Sequence, residues 1–291
     1  MASLSQWVGG ARPRTLPAAV AAVAVGTGLA VNASALMPGR ALLALLVAVA
    51  LQVGVNYAND YSDGIKGTDE ARVGPVRLVG QRLASPASVR LAALGSFAVA
   101  AVLGVILVGL VGEWWLLLVG VACVAAAWLY TGGPRPYGYH GLGEVFVFVF
   151  FGLVPVVGTF YVQALTVTGA SFVASVGVGL LACAVLVTNN LRDIPTDLVS
   201  GKRTLAVRLG DARTRGLYLA LIAGAAAATI AVAALISWWL LIVLIALGLA
   251  VPPARLIRRG ATGPALVPAL KGTGLLVLGY GLALAAGLCL V

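Results

Sequence analysis

Long apolar stretches recur along this chain from end to end, each of 18 residues or more between polar connections. A helix of that length crosses the roughly 30 Å hydrocarbon core of a bilayer. Only 10% of the residues are charged, against about 25% in a typical soluble domain. The pattern predicts an all-α, polytopic membrane protein in which residues 1–291 form a single domain. The nine predicted spans are roughly 15–36, 41–60, 90–112, 114–131, 142–162, 169–191, 214–235, 237–256 and 267–290.

The positive residues lie almost entirely on one side of this predicted bundle. With a cytoplasmic N-terminus, 18 of the 19 lysines and arginines fall on the cytoplasmic side, in connections or at span ends, and only Arg40 lies outside. This distribution follows the positive-inside rule and supports both the nine spans and an external C-terminus. The net charge of +10 is therefore interpreted as a topology signal and a contact with membrane lipids, not as a nucleic-acid site. We expect a multi-pass protein of the cell (plasma) membrane.

A first polar cluster ends the second span, which reads Asn56-Tyr-Ala-Asn-Asp60-Tyr-Ser-Asp63. Asn56, Asp60 and Asp63 are spaced i, i+4 and i+7, which places them on one helical face. Lys66 and Asp69 follow in the connection of residues 61–89. Carboxylates close to hydrocarbon are costly and usually mark a functional site.

A second cluster ends the sixth span and follows the same plan. Asn189, Asp193 and Asp197 are spaced i, i+4 and i+8, again on one face, although Pro195 is expected to disturb the last turn. Lys202 follows in the connection of residues 192–213. Two clusters of one plan predict facing carboxylates at the cytoplasmic mouth of the bundle.

Oxygen ligands of this kind suit magnesium, which takes one or two carboxylates together with substrate phosphates. His140 is the only histidine and the three cysteines are far apart within apolar segments, so neither a histidine-based metal site nor a catalytic triad is predicted. Five basic residues beside the clusters can neutralise diphosphate oxygens: Lys66, Arg72, Arg77, Lys202 and Arg203. A cation-coupled transporter is the alternative, but its acids usually lie near the bilayer midplane and not at span ends beside basic loops.

These strings resemble the UbiA superfamily of intramembrane prenyltransferases: Asn-Asp-Tyr-x-Asp-x-x-Lys-Gly-Thr-Asp after the second span, and Arg-Asp-x-x-x-Asp with Gly-Lys-Arg-Thr-Leu-Ala after the sixth. The resemblance runs from about residue 7 to 210 and implies nine helices around a central cavity. Shorter strings, among them Ala11-Arg-Pro-Arg-Thr-Leu-Pro17 and Gly141-Leu-Gly-Glu144, resemble the branch that prenylates 1,4-dihydroxy-2-naphthoate in menaquinone synthesis. That branch implies transfer from polyprenyl diphosphate with loss of carbon dioxide and pyrophosphate, giving demethylmenaquinone. Another acceptor, such as 4-hydroxybenzoate, remains open.

The resemblance also implies roles at the diphosphate end. Two metal ions, magnesium or manganese, are expected on four aspartates: Asp60 and Asp63, then Asp193 and Asp197. Asn56 and Asn189 are expected as supporting ligands, and Lys66, Arg72 and Lys202 as diphosphate contacts. Asp69 is expected either as a further ligand or as a base acting on the acceptor hydroxyl.

Candidates for the acceptor site cluster around one cytoplasmic loop: Tyr130, Arg135, Tyr139, His140 and Glu144. Arg135 is interpreted either as the partner of the aromatic carboxylate or as a topology marker. Glu144 acts either at the ring hydroxyl or as an acid at a helix N-terminus. His140 lies in a glycine-containing turn and is kept as a candidate.

Overall fold

The computed structural model describes residues 2–68 and 76–291. Within these ranges every regular element is a helix, and eight helices are long and apolar enough to cross a membrane, with a shorter apolar helix at Leu116–Leu129. The predicted all-α, multi-pass membrane class is confirmed. In chain order the helices are α1 (Leu4–Gly10), α2 (Leu16–Asn32), α3 (Pro38–Ile65), α4 (Pro86–Val111), α5 (Leu116–Leu129), α6 (Gly143–Ala164), α7 (Gly169–Val199), α8 (Leu205–Leu209), α9 (Asp211–Leu235), α10 (Trp238–Arg258) and α11 (Gly263–Leu290).

The helices that carry the aspartates extend beyond the predicted spans. α3 has 28 residues and continues to Ile65, while α7 has 31 residues and continues through Pro195 to Val199. Pro195 therefore removes one hydrogen bond from α7 without ending the helix. As a result Asp60 and Asp63, and likewise Asp193 and Asp197, lie on rigid helical backbone and not in loops.

The helices pack into one bundle. Its largest buried cluster lies where α2 packs against α6, α7 and α11, and it extends to α9 and α10. Small residues allow the backbones to approach closely: a Cβ at Gly26 would lie 2.6 Å from the carbonyl oxygen of Val156, and one at Gly28 would lie 2.8 Å from that of Ala285. Close approach through small residues is a usual way for membrane helices to associate. A second cluster joins α3 and α4 to residues 76–80.

A π-helical turn interrupts α6 at Phe148–Leu153. On either side of it Phe146, Phe150, Val154, Gly158 and Val162 line the same interior cavity at a constant spacing of four residues. In a continuous α-helix, which turns 100° per residue, the last would have rotated roughly 160° from the first. A π turn contains about one more residue than an α turn, which removes roughly 100° of that rotation. The π turn therefore keeps one face of α6 directed at the cavity.

Candidate active site

An interior cavity of about 980 Å³ lies between α2, α3, α5, α6, α7 and α11. Along α3 its wall changes from apolar to polar: Ala44 is followed by Gln52, Asn56, Asn59 and Asp63. At 1.5 Å per residue this stripe covers about 28 Å of helix. The cavity therefore has a deep apolar part, and a polar mouth at the end of the bundle that the positive charges predict to be cytoplasmic.

Asn56 is fixed at the edge of this mouth by the segment that leads into α2. Its Nδ2 donates to the backbone oxygen of Ala11 at 2.8 Å and to Oγ1 of Thr15 at 2.9 Å. The Thr15 hydroxyl donates to the backbone oxygen of Arg12, so its oxygen can only accept from the amide. This network sets the orientation of the amide and leaves Oδ1 of Asn56 as the atom able to face a cation.

Asp60 is fully buried and binds backbone. Its two carboxylate oxygens accept the amide N–H groups of Leu78 at 2.7 Å and Val79 at 3.1 Å. It does not belong to the cavity wall. In this arrangement Asp60 anchors residues 76–80 to α3, and its side chain would have to turn toward the cavity to bind a metal there.

Asp63 lies in the cavity wall and joins three segments of the chain. Its Oδ1 accepts the phenol hydroxyl of Tyr139 at 2.7 Å, and its Oδ2 lies 3.2 Å from Nζ of Lys202. The residue is only 2% exposed, and a buried carboxylate requires such partners. Asp63 therefore connects α3, the loop before α6 and the loop after α7.

On α7, Arg192 binds two members of the second cluster. Its Nε and Nη2 contact the two oxygens of Asp193 at 2.7 and 2.8 Å, and Nη2 also donates to Oδ1 of Asn189 at 2.8 Å. Asn189, Arg192 and Asp197 line the cavity, whereas Asp193 does not. The second cluster thus presents Asp197 and Asn189 to the cavity and keeps Asp193 in an ion pair.

The oxygens that line the mouth fit a hard divalent cation. Asp63 and Asp197 supply one carboxylate each, and Asn56 and Asn189 supply amide oxygens. Among residues 2–68 and 76–291, no three acidic, histidine or cysteine side chains converge as a ligand group. One or two carboxylates plus substrate phosphates is the donor set that magnesium takes in phosphate sites.

Two lysines lie beside Asp63. Nζ of Lys202, which is buried, lies in the cavity wall, while Nζ of Lys66 donates to the backbone oxygens of Thr131 at 2.7 Å and Gly133 at 3.5 Å. Loss of hydration lowers the pKa of Lys66; Asp63 opposes this shift and Lys202 adds to it. Arg77 is also buried in the wall. Positive charge is therefore concentrated at the mouth.

The acceptor candidates separate into two groups. Tyr130 and Tyr139 line the cavity, whereas Arg135 and His140 are exposed and do not. Glu144 lies behind the wall: its Oε1 accepts Nδ2 of Asn190 at 3.1 Å, and Asn190 in turn faces the cavity.

Two further predicted residues, Asp69 and Arg72, lie outside the described residues, so the predictions for them stay predictions.

Several lining residues were not singled out by the sequence as site residues: Arg12, Gln52, Asn59, Asn190, Arg192 and Lys271. Lys271 offered a signal, because a lysine inside the last apolar span is costly and usually functional. Arg12 offered no comparable sequence signal apart from its place in the string Arg-Pro-Arg. It reaches the cavity because the backbone turns through a left-handed conformation there, with φ 54°.

Comparison with known proteins agrees with this architecture. A profile described as the UbiA prenyltransferase family matches residues 15–265. A protein of Mycobacterium tuberculosis named 1,4-dihydroxy-2-naphthoate octaprenyltransferase is 56% identical over 288 residues, which cover 99% of this chain and 98% of that protein. One of the same name from Escherichia coli is 41% identical, with coverage of 92% and 89%.

A solved structure shares the fold at much lower sequence identity. The structure of a UbiA homolog from Archaeoglobus fulgidus, bound to DMAPP and Mg2+, superposes with a TM-score of 0.67 at 16% identity, covering 97% of this chain and 99% of that one. The likeness extends over all the membrane-spanning helices and is not confined to the aspartate segments.

Proposed function

This chain belongs to the UbiA prenyltransferase family, and on that premise we propose that it transfers a polyprenyl group from polyprenyl diphosphate to 1,4-dihydroxy-2-naphthoate. The reaction forms a carbon–carbon bond to the ring in place of the carboxylate. It releases pyrophosphate and carbon dioxide and gives demethylmenaquinone in its quinol form. Two relatives with that substrate in their names, at 56% and 41% identity over most of both chains, support this choice of acceptor.

The observation that carries the proposal is the division of one cavity into a charged mouth and a long apolar interior. Asp63, Asp197 and Lys202 line the mouth, while Ala44, Val47 and many other apolar residues line the remainder. A prenyl diphosphate has the same division, with a highly charged head on a hydrocarbon chain. The cavity therefore matches this substrate in both shape and polarity.

Magnesium bound together with the diphosphate would stabilise the negative charge that develops on the departing pyrophosphate. We propose two ions, held through Asp63 with Asn56 and through Asp197 with Asn189, whose Oδ1 keeps a second lone pair beside the one that accepts Nη2 of Arg192. Asp60 and Asp193 bind backbone amides and Arg192 and lie outside the cavity wall, so they would join only after their side chains turn toward the cavity. Lys202 and Arg77 would contact diphosphate oxygens, since both lie in the wall of the mouth.

Departure of pyrophosphate leaves an allylic cation on the prenyl chain. The remaining task of the protein is to protect this cation and to present the naphthoate ring to it. Below the mouth, the ring of Tyr137 stacks on Phe146 with centroids 3.8 Å apart, and Phe146 stacks on Phe150 with centroids 5.9 Å apart. All three line the cavity. An aromatic wall excludes water, which would otherwise quench the cation, and its π-electrons attract positive charge. We place the naphthoate ring beside this wall, next to Tyr130.

The proposal also fixes an orientation. The charged mouth would face the cytoplasm, with the C-terminus on the outer side of the plasma membrane. The positive-inside distribution supports this orientation.

The test is an acceptor assay with purified protein in detergent. Magnesium and geranylgeranyl diphosphate are supplied with either 1,4-dihydroxy-2-naphthoate or 4-hydroxybenzoate, and the products are followed by mass spectrometry. We expect a prenylated, decarboxylated naphthoquinol that requires magnesium. Asp63→Asn should lower the rate at least about 100-fold, because it removes a charge at the developing transition state.

Asp211→Asn is the matched control, because Asp211 makes the same kind of ion pair at an exposed site outside the cavity wall. Turnover of 4-hydroxybenzoate alone would overturn the acceptor assignment but keep prenyl transfer. No turnover of either ring by folded protein would overturn both.

A further inference from the structure

Three charged side chains converge on the ring of Tyr139. Nζ of Lys66 lies 4.9 Å from the ring centroid and Nζ of Lys202 lies 4.7 Å from it. The phenol hydroxyl donates to Oδ1 of Asp63 at 2.7 Å, and Oδ2 of the same carboxylate lies 3.2 Å from Nζ of Lys202. Lys66 and Asp63 belong to the end of α3, whereas Lys202 follows α7. Tyr139 thus links the end of α3 to the loop that follows α7.

The backbone of Tyr139 is held on both sides. Its carbonyl oxygen accepts the N–H of Arg203 at 2.9 Å, which ties it to the residue that follows Lys202. The N–H of Gly138 donates to the carbonyl oxygen of Tyr130 at 3.0 Å, and a Cβ at Gly138 would lie only 2.7 Å from that oxygen. Glycine is therefore required there for the chain to pass, and the ring of Tyr139 is placed by main-chain contacts from two loops.

The contacts of Tyr139 with the two lysines and with Asp63 are both electrostatically favourable. Two ammonium groups near one another repel, and the negative face of an aromatic ring offsets part of that repulsion. A hydrogen bond from a phenol to a carboxylate is charge-assisted and fixes the orientation of the oxygen that accepts it. One side chain thereby holds both lysines close to the mouth and orients the carboxylate most suited to bind magnesium there.

We propose that Tyr139 is a positioning residue for the diphosphate end of the prenyl substrate. It assembles Lys66, Lys202 and Asp63 before substrate arrives, so that little rearrangement is needed when the diphosphate and its metal bind. This inference rests on the proposed function. It also revises the expectation that Tyr139 contacts the aromatic acceptor, because its hydroxyl proton is already donated to Asp63.

Two substitutions separate the two parts of this role. Tyr139→Phe keeps the ring and removes only the hydroxyl. The KM for prenyl diphosphate should therefore stay within about twofold of the wild-type value, while the magnesium concentration for half-maximal activity should rise about tenfold, as expected for the loss of one charge-assisted hydrogen bond. Tyr139→Leu also removes the ring. The affinity for inorganic pyrophosphate in the presence of magnesium should then fall about tenfold to thirtyfold, as expected for two lost cation–π contacts.

Binding of inorganic pyrophosphate with magnesium is measured by calorimetry in detergent, and KM is measured separately for each substrate. Tyr161→Phe is the matched control, since it removes the same hydroxyl from a ring that packs on Trp115 outside the cavity wall. Its magnesium requirement and pyrophosphate affinity should equal those of the wild type. Should Tyr139→Leu fail to fold, the magnesium requirement of Tyr139→Phe decides.

An unchanged magnesium requirement in Tyr139→Phe, or a raised KM for naphthoate alone in either variant, would overturn the inference and return Tyr139 to the acceptor site. If instead the proposed function were wrong, the wild-type protein itself would bind no pyrophosphate and would turn over neither ring.

Discussion

Replacing Asp60 with alanine should damage the fold of the mouth and not only its chemistry. Both of its oxygens accept backbone amides, from Leu78 and Val79, and the side chain is fully buried. Leu78 is itself fully buried and packs with Tyr57 and Phe97 in the second core cluster. Loss of the carboxylate would therefore release a segment that closes one side of the bundle.

The magnitude follows from the two hydrogen bonds. A hydrogen bond to a charged group contributes about 1.5–3 kcal/mol, and each buried N–H left without a partner costs about 1–3 kcal/mol. Because these terms overlap, we expect Asp60→Ala to lower the free energy of unfolding by about 3–5 kcal/mol. For a chain of this size that corresponds to a fall in Tm on the order of 10 °C.

The assay is thermal unfolding in detergent without substrate or magnesium, in parallel with the prenyl-transfer rate. Asp63→Asn is the comparison: it should abolish most activity while lowering Tm less, because asparagine can still accept the Tyr139 hydroxyl and Lys202, which loses its counter-charge, lines the cavity. If Asp60→Ala lost activity with Tm unchanged, the anchoring argument would be wrong and Asp60 would act at the metal alone.

Two further outcomes follow from the geometry. Lys66 is needed in its charged form to attract diphosphate, and its pKa lies below the ordinary value for lysine, so the wild-type KM for prenyl diphosphate should rise as pH increases through that lowered pKa. Lys66→Arg stays charged and should show a flat KM over the same alkaline range. Parallel KM–pH profiles of the two proteins would refute this. Gly152→Ala should cost about 2–4 kcal/mol of stability, since the new Cβ would collide with the backbone of Gly179. In the same helix, a Cβ at Gly158 would meet no atom, so Gly158→Ala should be neutral or slightly stabilising in thermal unfolding.

Local patterns were sufficient to predict the class of the protein and the helices that carry its chemistry. Hydropathy and charge placed the spans because a bilayer requires long apolar helices with positive residues on one side. The spacing of Asn56, Asp60 and Asp63, and of Asn189, Asp193 and Asp197, predicted one shared face for each set, because helical periodicity is a property of neighbouring residues. Each set does lie on one helix, but Asp60 and Asp193 are not part of the cavity wall that the other four residues line.

The partners of those side chains were not predictable in the same way. Asp60 and Asp63 share a helix and a motif, yet Asp60 binds the backbone of residues 78–79 while Asp63 faces the cavity. The π turn in α6, which contains Gly152 and is followed by Pro155, also escaped the sequence analysis. Both depend on how distant helices pack.

The sequence by itself thus determined an all-helical, multi-pass membrane protein with an aspartate cluster near the end of each of two helices, because each of these features arises from residues close together in the chain. Only the tertiary structure decided which aspartates face the cavity and that Tyr139 joins Lys66 to Lys202. The physical reason is that a buried charge takes the orientation of whatever donor or counter-charge is packed against it. For Asp63 those partners, Tyr139 and Lys202, lie far along the chain, whereas Asp60 binds backbone amides of residues 78–79 and Asp193 binds the adjacent Arg192.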